Sequence, residues 1–211
     1  MKKCFTKKHS RIKIPSSDSA IKRTTQMETA VTQSMDESME RARQRRWVVM
    51  GVSGCGKSEI GRRLADALGS AYAEGDDDHP PANVARMAAG TPLTDIDRRD
   101  WLLLLQSRIA AAAQQGAGLV LSCSSLKRRY RDLLRAGDPG LVFVHLHGDH
   151  ALIARRMHER PGHFMPPALL ESQLRDLEPL QADEAGIVLD IADTPEQLID
   201  QIMQHCRRQA D

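Results

Sequence analysis

The residues of this 211-residue chain best suited to chemistry gather first at Gly51-Val52-Ser53-Gly54-Cys55-Gly56-Lys57-Ser58. They fill every fixed position of the pattern G-x-x-x-x-G-K-[ST]. Wrapping a phosphate chain with successive backbone N–H groups requires a tight curve that glycine adopts at low cost. A helix starting near Lys57 would aim its N-terminus, with its partial positive charge, at the same anion. Lys57 adds a full charge toward the β- and γ-phosphates, and the Ser58 hydroxyl is placed to ligate Mg²⁺. An apolar strand before the loop and a helix after it separate the pattern from a chance glycine-rich turn. The expectation is a nucleotide site for ATP and Mg²⁺ built on residues 51–58.

The second group is Asp76-Asp77-Asp78, followed by His79. A guanine-reading switch needs N-K-x-D, but the only asparagine is Asn83, followed by Val84. A motor ATPase commonly ends an apolar strand in a carboxylate, whereas the central strand here ends Ser122-Cys123-Ser124. Carboxylates placed beside the phosphates suit a small-molecule kinase, because an aspartate there can orient or deprotonate an acceptor hydroxyl.

These groups need a frame. WVVM (47–50) reads as a strand, and Ser58 to Leu68 has a helical apolar period. AYAEG (71–75) is a second strand. Asn83 is a candidate cap for a short helix through Met87. Asp97 to Gln115 reads as a long helix burying Trp101, Leu102, Leu105, Ile109 and Ala112. GLVLSCS (118–124) is a strand buried on both faces, and a basic helix follows from Leu126 to Arg135. Strand 141–148, helices 149–160 and 166–177, strand 187–193 and a helix capped by Thr194 with Pro195 first complete the chain. Strand and helix alternate five times, so the fold class is α/β: a P-loop NTPase with a five-stranded parallel sheet and helices on both faces.

Composition bounds the rest. Aromatics at 3% argue against a base-stacking nucleic-acid surface, and no apolar run approaches the ~20 residues needed to span a bilayer. Cys4, Cys55, Cys123 and Cys206 are scattered, without C-x-x-C spacing, so a reducing cytoplasm is expected rather than a disulfide frame or zinc site. Residues 1–46 carry 12 Lys and Arg against 5 Asp and Glu, and the rest of the chain is acidic. That head lacks an apolar period and is expected to be a disordered basic extension before a kinase domain at 47–211. An arginine- and serine-bearing head also suggests a transit peptide, and a basic arm a nucleic-acid contact. The plainer expectation is a dispensable tail, or a start at Met27, Met35 or Met39.

Five stretches together resemble the gluconokinases: MGVSGCGKS (50–58), EGDDDHP (74–80), PLTDIDRRDWL (92–102), SSLKRRYRDLLR (124–135) and RPGHFMPPALLESQLRDLEPL (160–180). The resemblance covers roughly 47–205 and none of residues 1–46. It implies ATP-dependent phosphorylation of D-gluconate to 6-phosphogluconate, a nucleoside-monophosphate-kinase-like fold, a mobile lid near 157–168 and a homodimer. It points to Asp76, the first of the three aspartates, as the acceptor-orienting base. His79 would either bond a polyol hydroxyl or pack at the turn before Pro80. Lys127, Tyr130 and Arg131 offer cations and a phenol for a carboxylate and hydroxyls, whereas Arg128 and Arg129 read as a solvated face. Arg156 and Arg160, four apart, would close over the transferring phosphoryl group, and His163 would touch substrate or hold the lid. Gln173, Leu177 and Glu178 read as structural helix positions.

The sequence departs from that family in two places. Cys55 stands where serine is commoner. Next to a helix N-terminus its thiolate would be favoured, so oxidation could block phosphate binding; the alternative is a tolerated small residue. Pro161 stands where a basic residue is common. Two rivals remain: another small-metabolite kinase of the same architecture, such as a shikimate kinase, and a nucleotide-dependent regulatory protein whose basic head binds a partner.

Overall fold

A computed structural model describes residues 33–34, 36–159 and 167–208. Five parallel strands form one sheet: β1 (Arg46–Met50), β2 (Ala71–Glu74), β3 (Leu119–Ser122), β4 (Val142–His147) and β5 (Gly186–Asp190). Their spatial order is β2-β3-β1-β4-β5. From β1 the chain passes to one side for β2 and β3, then crosses to the other for β4 and β5. The order therefore reverses beside β1, and ligands of open α/β sheets collect at the carboxyl ends of strands at such a switch point.

Alternation along the strands decides which layer each residue joins. Trp47 and Val49 face one side with Val120, Val142, Val144 and Leu189. Helices α1 (Lys57–Leu68), α5 (His150–Glu159), α6 (Pro167–Asp176) and α7 (Pro195–Arg208) supply apolar side chains to that layer, among them Leu64, Ile153, Leu170 and Ile202. Val48 and Met50 face the other side with Leu121 and Phe143. There α3 (Asp95–Gln114) contributes Trp101, Leu102, Leu105 and Ile109, and α4 (Arg128–Arg135) contributes Tyr130 and Leu134. The sheet is thus covered on both faces, as a parallel sheet requires.

Helix boundaries follow local chemistry. The Thr94 hydroxyl accepts from the Asp97 amide while the Asp97 carboxylate accepts from the Thr94 amide, a reciprocal cap that starts α3 two residues earlier than its apolar period suggests. Thr194 and Gln197 make the same exchange at α7. The expected cap at Asn83 is not formed. Helix α2 (Pro81–Ala88) starts at a proline, and Asn83 is buried inside it, donating to the Asp97 carbonyl at 2.7 Å.

Packed structure begins before residue 47. Residues 36–44 are helical, Ala42 is buried in the core, and the Trp47 indole donates to the Ala42 carbonyl at 3.1 Å. The expected boundary at 46/47 therefore cuts through a packed contact. The remainder of the basic head lies outside the described residues. So do Arg160, His163 and most of the expected lid at 157–168. Among the described residues no helix is long and apolar enough to cross a membrane.

Candidate active site

The loop between β1 and α1 opens at the switch point. Gly56 occupies the N-cap of α1 at φ 95° and provides no side chain to satisfy the first helical amides. Those N–H groups are available to an anion, with the helix dipole behind them. Gly54 sits at φ 82°, and a Cβ there would lie 2.4 Å from Cγ of Met157 on α5. Glycine is required twice over at that position, by backbone conformation and by the helix laid across it. Lys57 Nζ donates to the Val52 carbonyl at 3.1 Å, which folds the ammonium back over the loop. The Lys57 carbonyl accepts from Ser122 on β3, whose hydroxyl also meets Tyr72 on β2 at 2.9 Å. The start of α1 is thereby tied to two strand ends.

Cys55 is buried, and burial pushes its thiol up, with the nearby Lys57 charge only partly opposing it. Of the two readings of Cys55, this supports the tolerated small residue over the favoured thiolate. Desolvation outweighs the helix N-terminus, so the side chain acts as a small apolar residue.

The three aspartates occupy a 3-10 turn, Gly75–Asp78, directly after β2. Their environments differ. Asp78 is paired with Arg108 at 2.5 Å. The Asp76 carboxylate is 62% exposed, and among the described residues the basic group within ion-pair distance of it is the His79 ring, 3.9 Å away. Of the two, Asp76 is the one free to meet an incoming hydroxyl. The Cys123 thiol, just past the end of β3, feels the charges of both Asp76 and Lys57, which locates the acidic turn and the loop lysine around one strand end.

His79 is buried and stacks on Trp101 with ring centroids 4.0 Å apart, while the Trp101 indole donates to the Gly75 carbonyl at 2.7 Å. Burial lowers the His79 pKa, so the ring is neutral near pH 7. Of its two expected roles the structure displays packing: it holds the turn that carries Asp76.

The basic helix divides differently from the sequence expectation. Lys127 lies 3.2 Å from Asp95 and 3.3 Å from Asp176, so its charge is already matched twice. The Tyr130 hydroxyl and Arg129 also donate to Asp95. Hydrogen bonds, chiefly from Tyr130, hold the Asp95 carboxyl below its ordinary range. Arg131 requires a correction. It is fully buried, forms a bidentate pair with Glu184 at 2.7 Å, and donates to the carbonyls of Ser125, Leu126, Glu178 and Pro179. A guanidinium with all its donors engaged inside the protein cannot reach a substrate, and its role is to knit the loop after β3 to residues 178–184.

Sequence reading missed Arg98. It lies in the first turns of α3, one helical turn before Trp101 and so on the same face. It is only 8% exposed, its Nε has no partner, and no carboxylate among the described residues lies within ion-pair distance. Its charge is felt by His79, Tyr130 and, more weakly than an ion pair, by the Asp97 carboxylate. A buried cation without an ion-paired carboxylate is costly unless a ligand supplies one. Its spacing from Trp101 was visible in DRRDWL, but nothing distinguished Arg98 from Arg99.

On the opposite side, Arg156 of α5 donates to the Ile191 carbonyl at 2.8 Å, and its charge reaches Cys55 in the loop.

The fold and this site define a P-loop small-molecule kinase. The family described as Shikimate kinase matches residues 53–207. The gluconokinase of Gluconobacter oxydans (strain 621H) is 44% identical over 158 residues, 75% of this chain and 89% of the relative. The thermosensitive gluconokinase of Escherichia coli (strain K12) is 45% identical over 156 residues, 72% of this chain and 83% of the relative. The crystal structure of a gluconokinase from Sinorhizobium meliloti 1021 superposes with a TM-score of 0.73 at 43% identity, covering 80% of this chain and 94% of that one. The chain therefore belongs to the shikimate kinase family in the broad sense of that match and, within it, to the gluconokinase family.

Proposed function

We propose that this kinase transfers the γ-phosphoryl group of ATP to D-gluconate, giving 6-phosphogluconate. The observation that carries the acceptor class is Arg98, a buried guanidinium without a carboxylate partner beside the turn bearing Asp76. A sugar acid brings the missing carboxylate at one end and hydroxyls along its length, and the relatives of known name are gluconokinases.

Bound ATP would bring the phosphoryl group, and Mg²⁺ would offset charge on the phosphate oxygens. The uncapped amides at the start of α1 and the Lys57 ammonium hold the phosphates. Ser58, in the first turn of α1, is the proposed Mg²⁺ ligand. Asp76 accepts a hydrogen bond from the terminal hydroxyl and takes its proton as the oxygen attacks phosphorus. Arg98 fixes the far end of the acceptor, which turns a collision into an oriented encounter. Arg156 adds positive charge over the loop, and Arg160 and His163 are proposed to join it from the segment outside the described residues. Lys127 and Tyr130 line the acceptor side through Asp95. A homodimer in the cytoplasm belongs to the same reading. Free buried thiols at Cys55, Cys123 and Cys206 support a reducing compartment, and the exposed Ile96 and Leu104 on α3 support a subunit contact.

Coupled ADP release with ATP, Mg²⁺ and no acceptor, D-gluconate or shikimate tests the reaction. Release should rise only with gluconate and vanish in Lys57→Ala. A rise with shikimate instead would transfer the assignment to that acceptor, and release indifferent to every acceptor would end the kinase reading. Arg98→Met keeps the side-chain volume and removes the charge. It should raise the KM for gluconate about 10- to 100-fold, the range of a hydrogen bond to a charged group, with little change for ATP. An unaltered gluconate KM would remove Arg98 from the acceptor site.

A further inference from the structure

The phosphate loop is held from a helix to which sequence reading gave no chemistry. Gln173 Oε1 on α6 accepts from the Ser53 amide at 2.7 Å, and its Nε2 reaches the Ser53 hydroxyl at 3.4 Å. The N–H can only donate, so the oxygen of the carboxamide must face it. The remainder of α6 and the residues just after it are firmly seated. Leu169 and Leu170 are buried. Asp176 pairs with Lys127, the Glu178 carboxylate accepts from the Arg128 amide at 2.5 Å, and the Glu178 amide donates to the Leu126 carbonyl at 2.8 Å. One helix thus touches the nucleotide loop through Gln173 and the acceptor side through Asp176, and it follows directly on residues 160–166.

We infer that Gln173 is a positioning residue for the nucleotide: it fixes the Ser53 peptide from α6, so that the following amides are already curved to receive phosphate. The inference rests on the nucleotide-binding reading of the loop. A loop that must order itself on binding loses that ordering entropy from its affinity, and a bond that orders it beforehand recovers part of it. The same contact gives the acceptor side a mechanical link to the loop, from Lys127 through Asp176 and three residues of helix to Gln173.

The test is equilibrium binding of a non-hydrolysable ATP analogue with Mg²⁺ to the full chain, by calorimetry, for wild type, Gln173→Ala and Gln173→Glu, with melting temperatures of the free proteins and kcat at saturating ATP alongside. Loss of one net hydrogen bond should weaken the Gln173→Ala complex about 3- to 10-fold, with kcat little changed. Gln173→Glu keeps an acceptor for the Ser53 amide but sets a negative charge beside the phosphates, so it should bind more weakly still. A merely structural glutamine would lower the melting temperature and leave affinity alone. Wild type that binds the analogue while Gln173→Ala binds it equally well, or more tightly, overturns the inference and leaves the nucleotide reading intact. Wild type that does not bind overturns both.

Discussion

Asp76→Asn is expected to lower kcat for gluconate-dependent ADP release by about 10²- to 10⁴-fold, the range supplied by a positioned general base. Asparagine keeps the size of the side chain and can still meet a hydroxyl, but it cannot take the proton. The affinity for ATP should hardly move, because the phosphates are assigned to the loop and Lys57. Asp77→Asn is the control. Asp77 shares the turn and is exposed, so its loss should leave kcat near wild type. The structure makes Asp76 the better candidate than Asp78, whose carboxylate is engaged by Arg108. If Asp76→Asn and Asp77→Asn fall equally and slightly, neither carboxylate is the base and the turn serves only to shape the site.

The second large effect concerns stability. Glu184→Ala should destabilise the fold by about 3 to 5 kcal/mol, the cost of breaking a buried ion pair and leaving one charge behind. For a chain of this size that is a melting-temperature drop on the order of 10 °C. The abandoned charge is Arg131, with no exposed surface on its side chain. Arg135 would also lose a partner at 2.7 Å. Burial by itself would raise the Glu184 carboxyl, but hydrogen bonds from Arg131, the Gln181 amide and Arg135 outweigh it and hold the pKa at about 2, against an ordinary 4.5. A depressed carboxylate contributes stability that is present above its unfolded value and is lost as pH falls. Wild type should therefore lose about 3 kcal/mol between pH 4.5 and pH 2 from this group alone. Glu184→Gln should flatten that part of the profile in urea titrations across the acid range. An unchanged acid limb in Glu184→Gln would show that other carboxylates dominate it.

The two effects are connected through the loop after β3. Arg131 donates to the carbonyls of Ser125 and Leu126, and Ser125 holds a left-handed conformation at φ 45°, uncommon for a residue with a side chain. The pair with Glu184 fixes the approach to Lys127 from behind, without taking part in the site. A milder loss of activity in Glu184→Gln, with KM affected more than kcat, would fit that supporting role.

Local chemistry made much of this protein legible in its sequence. The pattern at 51–58 names its own geometry, because only glycine accepts those backbone angles and only a lysine and a hydroxyl supply that charge and ligand. The alternation of apolar strands with helical periods predicted five parallel strands, and β1 to β5 form one sheet. Thr194-Pro195 marked its helix start because a cap and a fixed φ act within a few residues. Tertiary structure alone decided which charges are available. Arg98 and Arg131 look alike in sequence, each among other charged residues near the start of a helix, yet Arg131 meets Glu184 53 residues away while Arg98 forms no ion pair among the described residues. Cys55 left two readings open, an activated thiol beside a local helix N-terminus or a tolerated small residue, and burial contributed by distant elements decides for the second. Gln173 looked inert because its partner, Ser53, lies 120 residues earlier. Backbone conformation is set mainly by neighbours along the chain, whereas burial and ion pairing are set by neighbours in space. Spacing along the sequence could therefore place the phosphate loop but could not tell a substrate-facing arginine from one closed inside the core.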